Sequence, residues 1–218
     1  MKHHNFFKFT AVVILLCGLF TQPSLAADDV NLHQEKSEQL VQKLGNKALK
    51  DLTDISISAT TRKKRMGAII NTYFSMPTIG RFALGTHWRR ATKEQQKEYM
   101  ALLKTMLIDT YASRFEDYSG QTFKVANSTK SSRRDTIVHS KIIPEDGPAL
   151  SIDWRVRHKS GKYKVIDVIV ESISMSVTQR SDFNSIIQNG GGNVSALIAS
   201  LKTRNKNPVT SDKKTASK

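Results

Sequence analysis

The chain has 218 residues and a formal net charge of +15 at pH 7, with 34 Lys and Arg against 19 Asp and Glu. Its single cysteine, Cys17, excludes an intramolecular disulfide and a thiolate zinc site. A chain of this length is long enough to build one domain around its own hydrophobic core.

The first 26 residues have the pattern of a secretory signal peptide. Lys2 and Lys8 precede an apolar run over residues 9–20, and residues 23–26 (PSLA) end with small residues suited to cleavage before Ala27. The run is shorter than the roughly 20 residues that a membrane-spanning helix needs. Cys17 lies inside it, after two leucines rather than the small residues of a lipoprotein signal. We therefore expect an exported, periplasmic protein without a lipid anchor.

The net positive charge favours different partners in an exported protein than in a cytosolic one. Removal of Lys2 and Lys8 lowers the net charge from +15 to +13. Outside the cytosol, anionic membrane surfaces and acidic partners are better candidates than nucleic acid for so basic a chain. Aromatic residues make up only 7% of the sequence and form no stacking motif. Part of the charge lies in a polar tail, residues 205–218, which we expect to be disordered.

Helices are predicted for the first half of the exported region. Amphipathic spacing predicts helices over 28–50 and 61–74, followed by a short apolar segment over 76–84. The clearest helix covers 92–117, where Thr92 and Gln95 form a capping box ahead of an apolar stripe at helical spacing.

The hydrophobic period then changes from 3.6 to 2 residues, which indicates strands. Residues 150–157 alternate strictly, and strands over 122–127, 134–143 and 163–176 complete the set. Two helices, 178–188 and 193–202, follow on either side of a glycine run that reads as a helix C-cap and turn. The order predicts one α+β domain over 27–204, a curved antiparallel sheet of about four strands covered by helices.

The last predicted strand is apolar on both faces. One face carries Val165, Ile169, Ile173 and Met175, and the other carries Ile166, Val168 and Val170. A sheet covered on one side only would alternate apolar and polar residues. Either a second helical layer covers the other face, or the strand borders an apolar cavity for a hydrophobic ligand.

Three acidic residues on strands are candidates for chemistry. Asp167 and Glu171 fall on the Val165 face of the last strand, where a partly buried carboxylate could act in acid–base catalysis, and Asp153 lies on the strand before. The alternative is ion pairing with arginines such as Arg155 or Arg157. Two carboxylates four residues apart on a strand are separated by about 13 Å, too far for a glycosidase pair.

Other polar groups give weaker signals. His33, His87, His139 and His158 lie on different predicted elements and show no metal-ligand spacing, so no metal site is expected. The basic clusters 62–65 (RKKR) and 89–90 (RR) are either solvated helix faces or docking sites for anionic lipid head groups or an acidic partner.

Four ordered segments together resemble a known family. They are 84–92 (LGTHWRRAT) leading into Glu94 and Gln95, then 118–123 (YSGQTF), 163–168 (YKVIDV), and 171–175 (ESISM) running into 178–183 (TQRSDF). Across residues 31–202 the chain resembles the MlaC family, also called the toluene-tolerance auxiliary proteins.

The resemblance implies a periplasmic phospholipid-binding component of an ABC transport system that maintains outer-membrane lipid asymmetry. It implies a helix-covered, curved antiparallel sheet with a deep apolar pocket for acyl chains and the head group near the mouth. The implied partners are an outer-membrane lipoprotein–porin complex, an inner-membrane MCE-domain ABC transporter and, transiently, an anionic membrane surface. Some relatives are associated with hopanoid lipids, which makes a hopanoid the second candidate cargo. No cofactor and no enzymatic activity are implied.

A carrier needs wide apolar walls, because each methylene hidden from water contributes about 0.8 kcal/mol. The candidate lipid-binding residues are apolar side chains of segment 76–84, the long helix and the sheet: Met76, Ile79, Phe82, Leu84, Met100, Leu103, Met106, Leu107, Tyr111, Trp154, Val165, Val168, Ile169, Ile173 and Met175. The polar stretch 127–134 is either a plain loop or a head-group contact at the mouth. The alternative function is an enzyme on a similar cone-shaped fold with Asp167 as general base on a small apolar substrate. It requires Asp167 to face the cavity without an arginine partner.

Overall fold

The computed structural model of the protein describes residues 25–115 and 120–207. Residues 1–24 and 208–218 lie outside this part of the chain, so the signal peptide, the disordered tail and the domain boundaries stay predictions. In the described part, no helix is both long enough and apolar enough to cross a membrane.

Six α-helices and one 3-10 turn are described, and most lie where the sequence places them. The predicted capping box of the long helix is confirmed, because the Thr92 hydroxyl accepts from the Gln95 N–H and the Gln95 carboxamide accepts from the Thr92 N–H. The second helix begins two residues earlier than predicted, because Ser58 caps it by accepting from the Thr61 N–H. The helices are α1 (Leu25–Leu52), α2 (Ala59–Tyr73), α3 (Met76–Leu84), the 3-10 turn Gly85–Arg89, α4 (Lys93–Arg114), α5 (Met175–Asn189) and α6 (Val194–Lys206).

The strands form one antiparallel sheet in sequence order, a simple meander. The strands are β1 (Thr122–Lys130), β2 (Asp135–Ile143), β3 (Leu150–Lys159), β4 (Lys162–Val170) and β5 (Ile173–Ser174). Register shifts in β1, between Val125 and Asn127, and opposite the Arg155–Val156 step of β3 mark bulges, which bend a sheet. The predicted α+β class with a helix-covered antiparallel sheet is confirmed, with a two-residue fifth strand added at the edge.

The prediction of one long last strand over 163–176 is wrong. Glu171 and Ser172 have φ angles of 46° and 67°, a left-handed turn that ends β4 at Val170. The chain then forms β5, and α5 starts at Met175, where Ser174 accepts from the Val177 N–H. The predicted start of this helix at residue 178 is therefore three residues late.

The bulge in β4 changes which side chains share a face. Val156 pairs with Val165 and Trp154 pairs with Val168, so Val165 and Val168 lie on the same face although three positions separate them. Strict alternation had placed them on opposite faces. Ile166 is the extra residue, and Ile169 falls on the face away from Val168.

Two hydrophobic clusters hold the helices and the sheet together. One joins α3, α4, α5 and α6 around fully buried residues such as Tyr99 and Leu197. The other joins α1, α2 and the helix-facing side of the sheet around Val41, Ile69 and Val165. The last helix continues to Lys206, past the predicted start of the tail, and the Asn205 side chain donates to the Leu102 carbonyl of α4.

Candidate functional site

An apolar cavity of about 320 Å³ lies between the sheet and the helices. Helix α1 contributes its C-terminal half, α2 and α4 contribute their inward faces, and strands β1 to β4 form the floor. A cavity with these dimensions and this lining is within the range of small-molecule ligand sites, about 300–1,000 Å³. Val168 and Val170 line the cavity on the same face of β4 on which Val165 packs against α1 and α2, so the cavity lies between this face and the helices.

Seven of the fifteen candidate lipid-binding residues lie on the cavity wall. These seven residues come from α3, α4, β3, β4 and the first turn of α5: Ile79, Leu103, Leu107, Tyr111, Trp154, Val168 and Met175. They come together although as many as 96 positions separate them along the chain, so a shared apolar wall is a product of the fold rather than of local sequence.

The other candidates lie elsewhere. Two have exposed side chains, Phe82 at 41% and Ile173 at 58%. Ile169 is half-buried on the far face of β4 because of the bulge. The rest pack within the two hydrophobic clusters beside the cavity: Met76, Leu84, Met100, Met106 and Val165.

Sequence reasoning missed the contribution of the first two helices. The C-terminal half of α1 and the inward face of α2 form a large part of the wall: Leu44, Gly45, Ala48, Leu49, Leu52, Met66, Ile69 and Ile70. The amphipathic stripe of α1 is visible in the sequence, but amphipathicity alone does not tell a wall from a core.

A close contact between α1 and β1 shapes one side of the cavity. A Cβ atom on Gly45 would lie 2.1 Å from Cδ1 of Phe123, so only glycine lets the ring lie against the helix. Phe123 in turn meets Trp154 edge to face, with ring centroids 6.2 Å apart. The Trp154 indole N–H donates to Ser140 Oγ at 2.9 Å, which satisfies its polar atom and fixes the ring.

The polar atoms of the wall gather at one end of the cavity. Tyr111 and Arg114 come from the end of α4, Asp167 from β4, and Ser176 and Gln179 from the start of α5. Arg114 is exposed to solvent, so the cavity reaches the surface there. We call this end the mouth. It lies where β2 ends and β3 begins.

The stretch 127–134 lies at the opposite end of the sheet from the mouth. It includes the end of β1 and the β1–β2 turn, whereas the mouth lies at the β2–β3 end. A head-group contact by this stretch is therefore wrong, and its role is that of a hairpin.

Among the acidic candidates, only Asp167 lines the cavity. Its carboxylate accepts from Ser174 Oγ at 2.6 Å and from the Ser176 N–H at 3.0 Å, which ties β4 to the first turn of α5. Asp153 pairs with His139 at 2.9 Å. Glu171 is exposed and accepts from the Ser151 N–H.

The expected arginine partners pair with other groups. Arg157 binds Asp135 through two hydrogen bonds of 2.7 Å, and Asp135 raises the pKa of the guanidinium. Arg155 donates to Ser131 Oγ. Ion pairing of the acidic candidates with these arginines is therefore wrong.

Two of the histidines meet, contrary to expectation. The His33 and His158 rings lie 4.2 Å apart, and His33 Nδ1 is 2.6 Å from the Tyr163 hydroxyl. Burial, together with the nearby His33, lowers the pKa of His158. This contact joins α1 to the β3–β4 hairpin at the end remote from the mouth, and the described residues include no group of three metal-ligating side chains.

The basic cluster 62–65 is largely structural. The buried Arg62 guanidinium donates to the Leu52 and Asp54 carbonyls at the end of α1. Lys63 pairs with Asp109 at 2.8 Å, and Arg65 donates to the Asp51 carbonyl. Arg89 and Arg90, by contrast, are exposed.

The fold and the cavity define an α+β protein with an internal apolar pocket that opens at one end. Residues 34–203 match the profile of the family described as MlaC protein. Because this match covers most of the chain, the protein belongs to the MlaC family.

Two known proteins are similar to this chain at low sequence identity. The chain is 23% identical over 141 residues to the intermembrane phospholipid transport system binding protein MlaC of Haemophilus influenzae, which covers 63% of this chain and 65% of the relative. It is 24% identical over 110 residues to toluene tolerance protein ttg2D of Pseudomonas putida, which covers 50% of this chain and 51% of the relative. The matches thus span about two thirds and half of these relatives.

A solved structure shares the fold. It is that of a phospholipid-binding protein from Ralstonia solanacearum in complex with a phospholipid, with a TM-score of 0.68 at 22% identity. The match covers 78% of this chain and 97% of that chain. It supports the predicted fold class over nearly the whole length of the other protein.

Proposed function

We propose that the protein is a periplasmic phospholipid carrier that holds acyl chains in the cavity and moves lipid between the outer and inner membranes. The observation that carries the proposal is the apolar cavity. It is supported by the Haemophilus relative, which is named for phospholipid transport, and by the Ralstonia protein, which has the same fold and holds a phospholipid. Such transfer would maintain outer-membrane lipid asymmetry. A hopanoid remains the second candidate cargo.

The wall chemistry supports a carrier over an enzyme. At about 0.8 kcal/mol per buried methylene, an apolar pocket binds an acyl chain without any reacting group. Asp167 does line the cavity, and no arginine within the described residues pairs with it, as the enzyme alternative requires. Its carboxylate oxygens, however, are both engaged by the cap of α5, which gives the side chain a structural role.

Loading and unloading require partners at both membranes. We place a lipoprotein–porin complex at the outer membrane and an MCE-domain ABC transporter at the inner membrane, on the strength of the family. The exposed Arg89 and Arg90 are the candidate contacts to acidic partners or to an anionic membrane surface.

Native mass spectrometry of the exported protein, followed by organic extraction, tests the proposal. A discrete adduct with the mass of a phospholipid, released on extraction, is the expected result. An adduct with the mass of a hopanoid would support the carrier function but identify a hopanoid, not a phospholipid, as the cargo. A protein that stays free of lipid after incubation with phosphatidylethanolamine vesicles would contradict the proposal.

A further inference from the structure

The mouth of the cavity holds three polar side chains that make no hydrogen bond within the described residues. Arg114 is exposed and lies over the Tyr111 ring, with its guanidinium carbon 5.5 Å from the ring centroid, and it donates to no acceptor in residues 25–115 and 120–207. The Gln179 carboxamide and the Tyr111 hydroxyl likewise lack partners. A guanidinium alone offers five N–H donors, so the mouth presents a surplus of donors.

The three groups contrast with the rest of the polar wall. Asp167 and Ser176 also line the cavity, but they bind each other through the Ser176 N–H. Burial raises the pKa of the Tyr111 hydroxyl, which keeps it protonated and able to donate. Donors without acceptors at the open end of an apolar pocket match an anionic group attached to apolar chains.

Arg114 is suited to a phosphate in particular. Its planar guanidinium binds phosphate oxygens through two parallel hydrogen bonds, which a lysine ammonium cannot do. Burial of the acyl chains is most favourable in the apolar interior of the cavity. The polar end of a bound phospholipid is therefore left at the mouth, beside these hydrogen-bond donors.

We infer that Arg114, with Gln179 and the Tyr111 hydroxyl, forms a subsite for the phosphodiester of the bound phospholipid. This inference rests on the proposed function. It predicts that the carrier distinguishes phospholipids from uncharged lipids with the same acyl chains.

The test compares two soluble short-chain lipids, dioctanoyl phosphatidylethanolamine and dioctanoylglycerol, which lacks the phosphate. Their affinities are measured by calorimetry on the full exported chain and on Arg114→Gln. Arg133→Gln, an exposed change at the far end of the sheet, is the matched control. Tyr111→Phe removes one hydroxyl and leaves the ring beneath the guanidinium in place.

Arg114→Gln should weaken phosphatidylethanolamine binding roughly tenfold, a value between those for exposed ion pairs and for hydrogen bonds to charged groups. Its affinity for dioctanoylglycerol should not change, and Tyr111→Phe should show a smaller loss, again for the phospholipid only. Arg133→Gln should bind both lipids as the unaltered protein does.

Two results would overturn the subsite. Equal losses for both lipids would show that Arg114 acts through packing on Tyr111, and no loss for either would show that it takes no part in binding. If the unaltered protein binds neither lipid, the proposed function itself fails, and the subsite fails with it.

Discussion

Emptying the cavity should weaken the folded state by several kcal/mol. At about 24 cal/mol per Å³ of unfilled cavity, the volume of about 320 Å³ corresponds to roughly 8 kcal/mol. This is an upper bound, since helical walls relax inward when a cavity is empty. It is nevertheless comparable with the whole stability of a typical domain, about 5–15 kcal/mol.

The assay is thermal unfolding of the lipid-loaded and the lipid-extracted protein, monitored by circular dichroism. If half of the upper bound is realised, about 4 kcal/mol, the unfolding midpoint should fall by roughly 8–16 °C on extraction. Reloading with phosphatidylethanolamine should restore it. A shift below about 2 °C, with mass spectrometry showing that lipid was removed, would refute the reasoning.

A cavity-filling variant provides the matched control. Ala48 is half-buried on the cavity wall, so Ala48→Trp should occupy the space, prevent loading and abolish the difference between extracted and reloaded protein. Ala101 is exposed on α4, outside the wall, and Ala101→Trp should load and respond as the unaltered protein does. Loading of Ala48→Trp at the unaltered level would show that lipid binds elsewhere.

Three further predictions concern the surroundings of the cavity. Gly45→Ala places a methyl group 2.1 Å from the Phe123 ring and should lower the free energy of unfolding in urea by about 1–3 kcal/mol. Asp167→Asn loses one acceptor of the α5 cap, so it should cost about 1–2 kcal/mol but leave lipid loading, measured by mass spectrometry, unchanged. Because the fold lowers the pKa of His158, the native state takes up its proton less readily than the unfolded chain does. The free energy of unfolding should therefore fall from about pH 7 to about pH 5, and less steeply in His158→Gln.

Each of these has a result that would contradict it. Gly67→Ala, where the nearest contact is 3.3 Å away, controls for the helix propensity of alanine, and equal stability of the two alanine variants would exclude the Phe123 clash. Loss of loading in Asp167→Asn would show that this carboxylate contributes to lipid binding as well as to the cap of α5. Identical pH profiles for His158→Gln and the unaltered protein would remove this histidine from the pH response.

Local signals in the sequence predicted the elements well. The capping box at Thr92 and the change of period from helix to strand depend on neighbouring residues, and both features appear in the structure. The end of β4 was missed because Glu171 and Ser172 adopt positive φ angles without a glycine to signal them. The bulge at Ile166 could not be predicted from the sequence either, because an apolar residue suits either face of a strand.

The cavity wall was predictable only in part. The sequence identifies Leu107 and Trp154 because each lies on an apolar face that must be buried. Whether such a face packs in the core or lines a cavity depends on the helix opposite it. The requirement for Gly45 follows from a ring at Phe123, which lies far along the chain. The meeting of His33 with His158 likewise depends on where α1 crosses the sheet.

Photo-crosslinking from neighbouring positions of β4 tests the central claim most directly. Val168 lines the cavity, whereas Ile169 lies on the opposite face of the same strand. A benzophenone amino acid at Val168 should crosslink phospholipid in the exported protein, and the same group at Ile169 should not. Crosslinking at Ile169 alone, or equally at both positions, would contradict binding of acyl chains between the sheet and the helices.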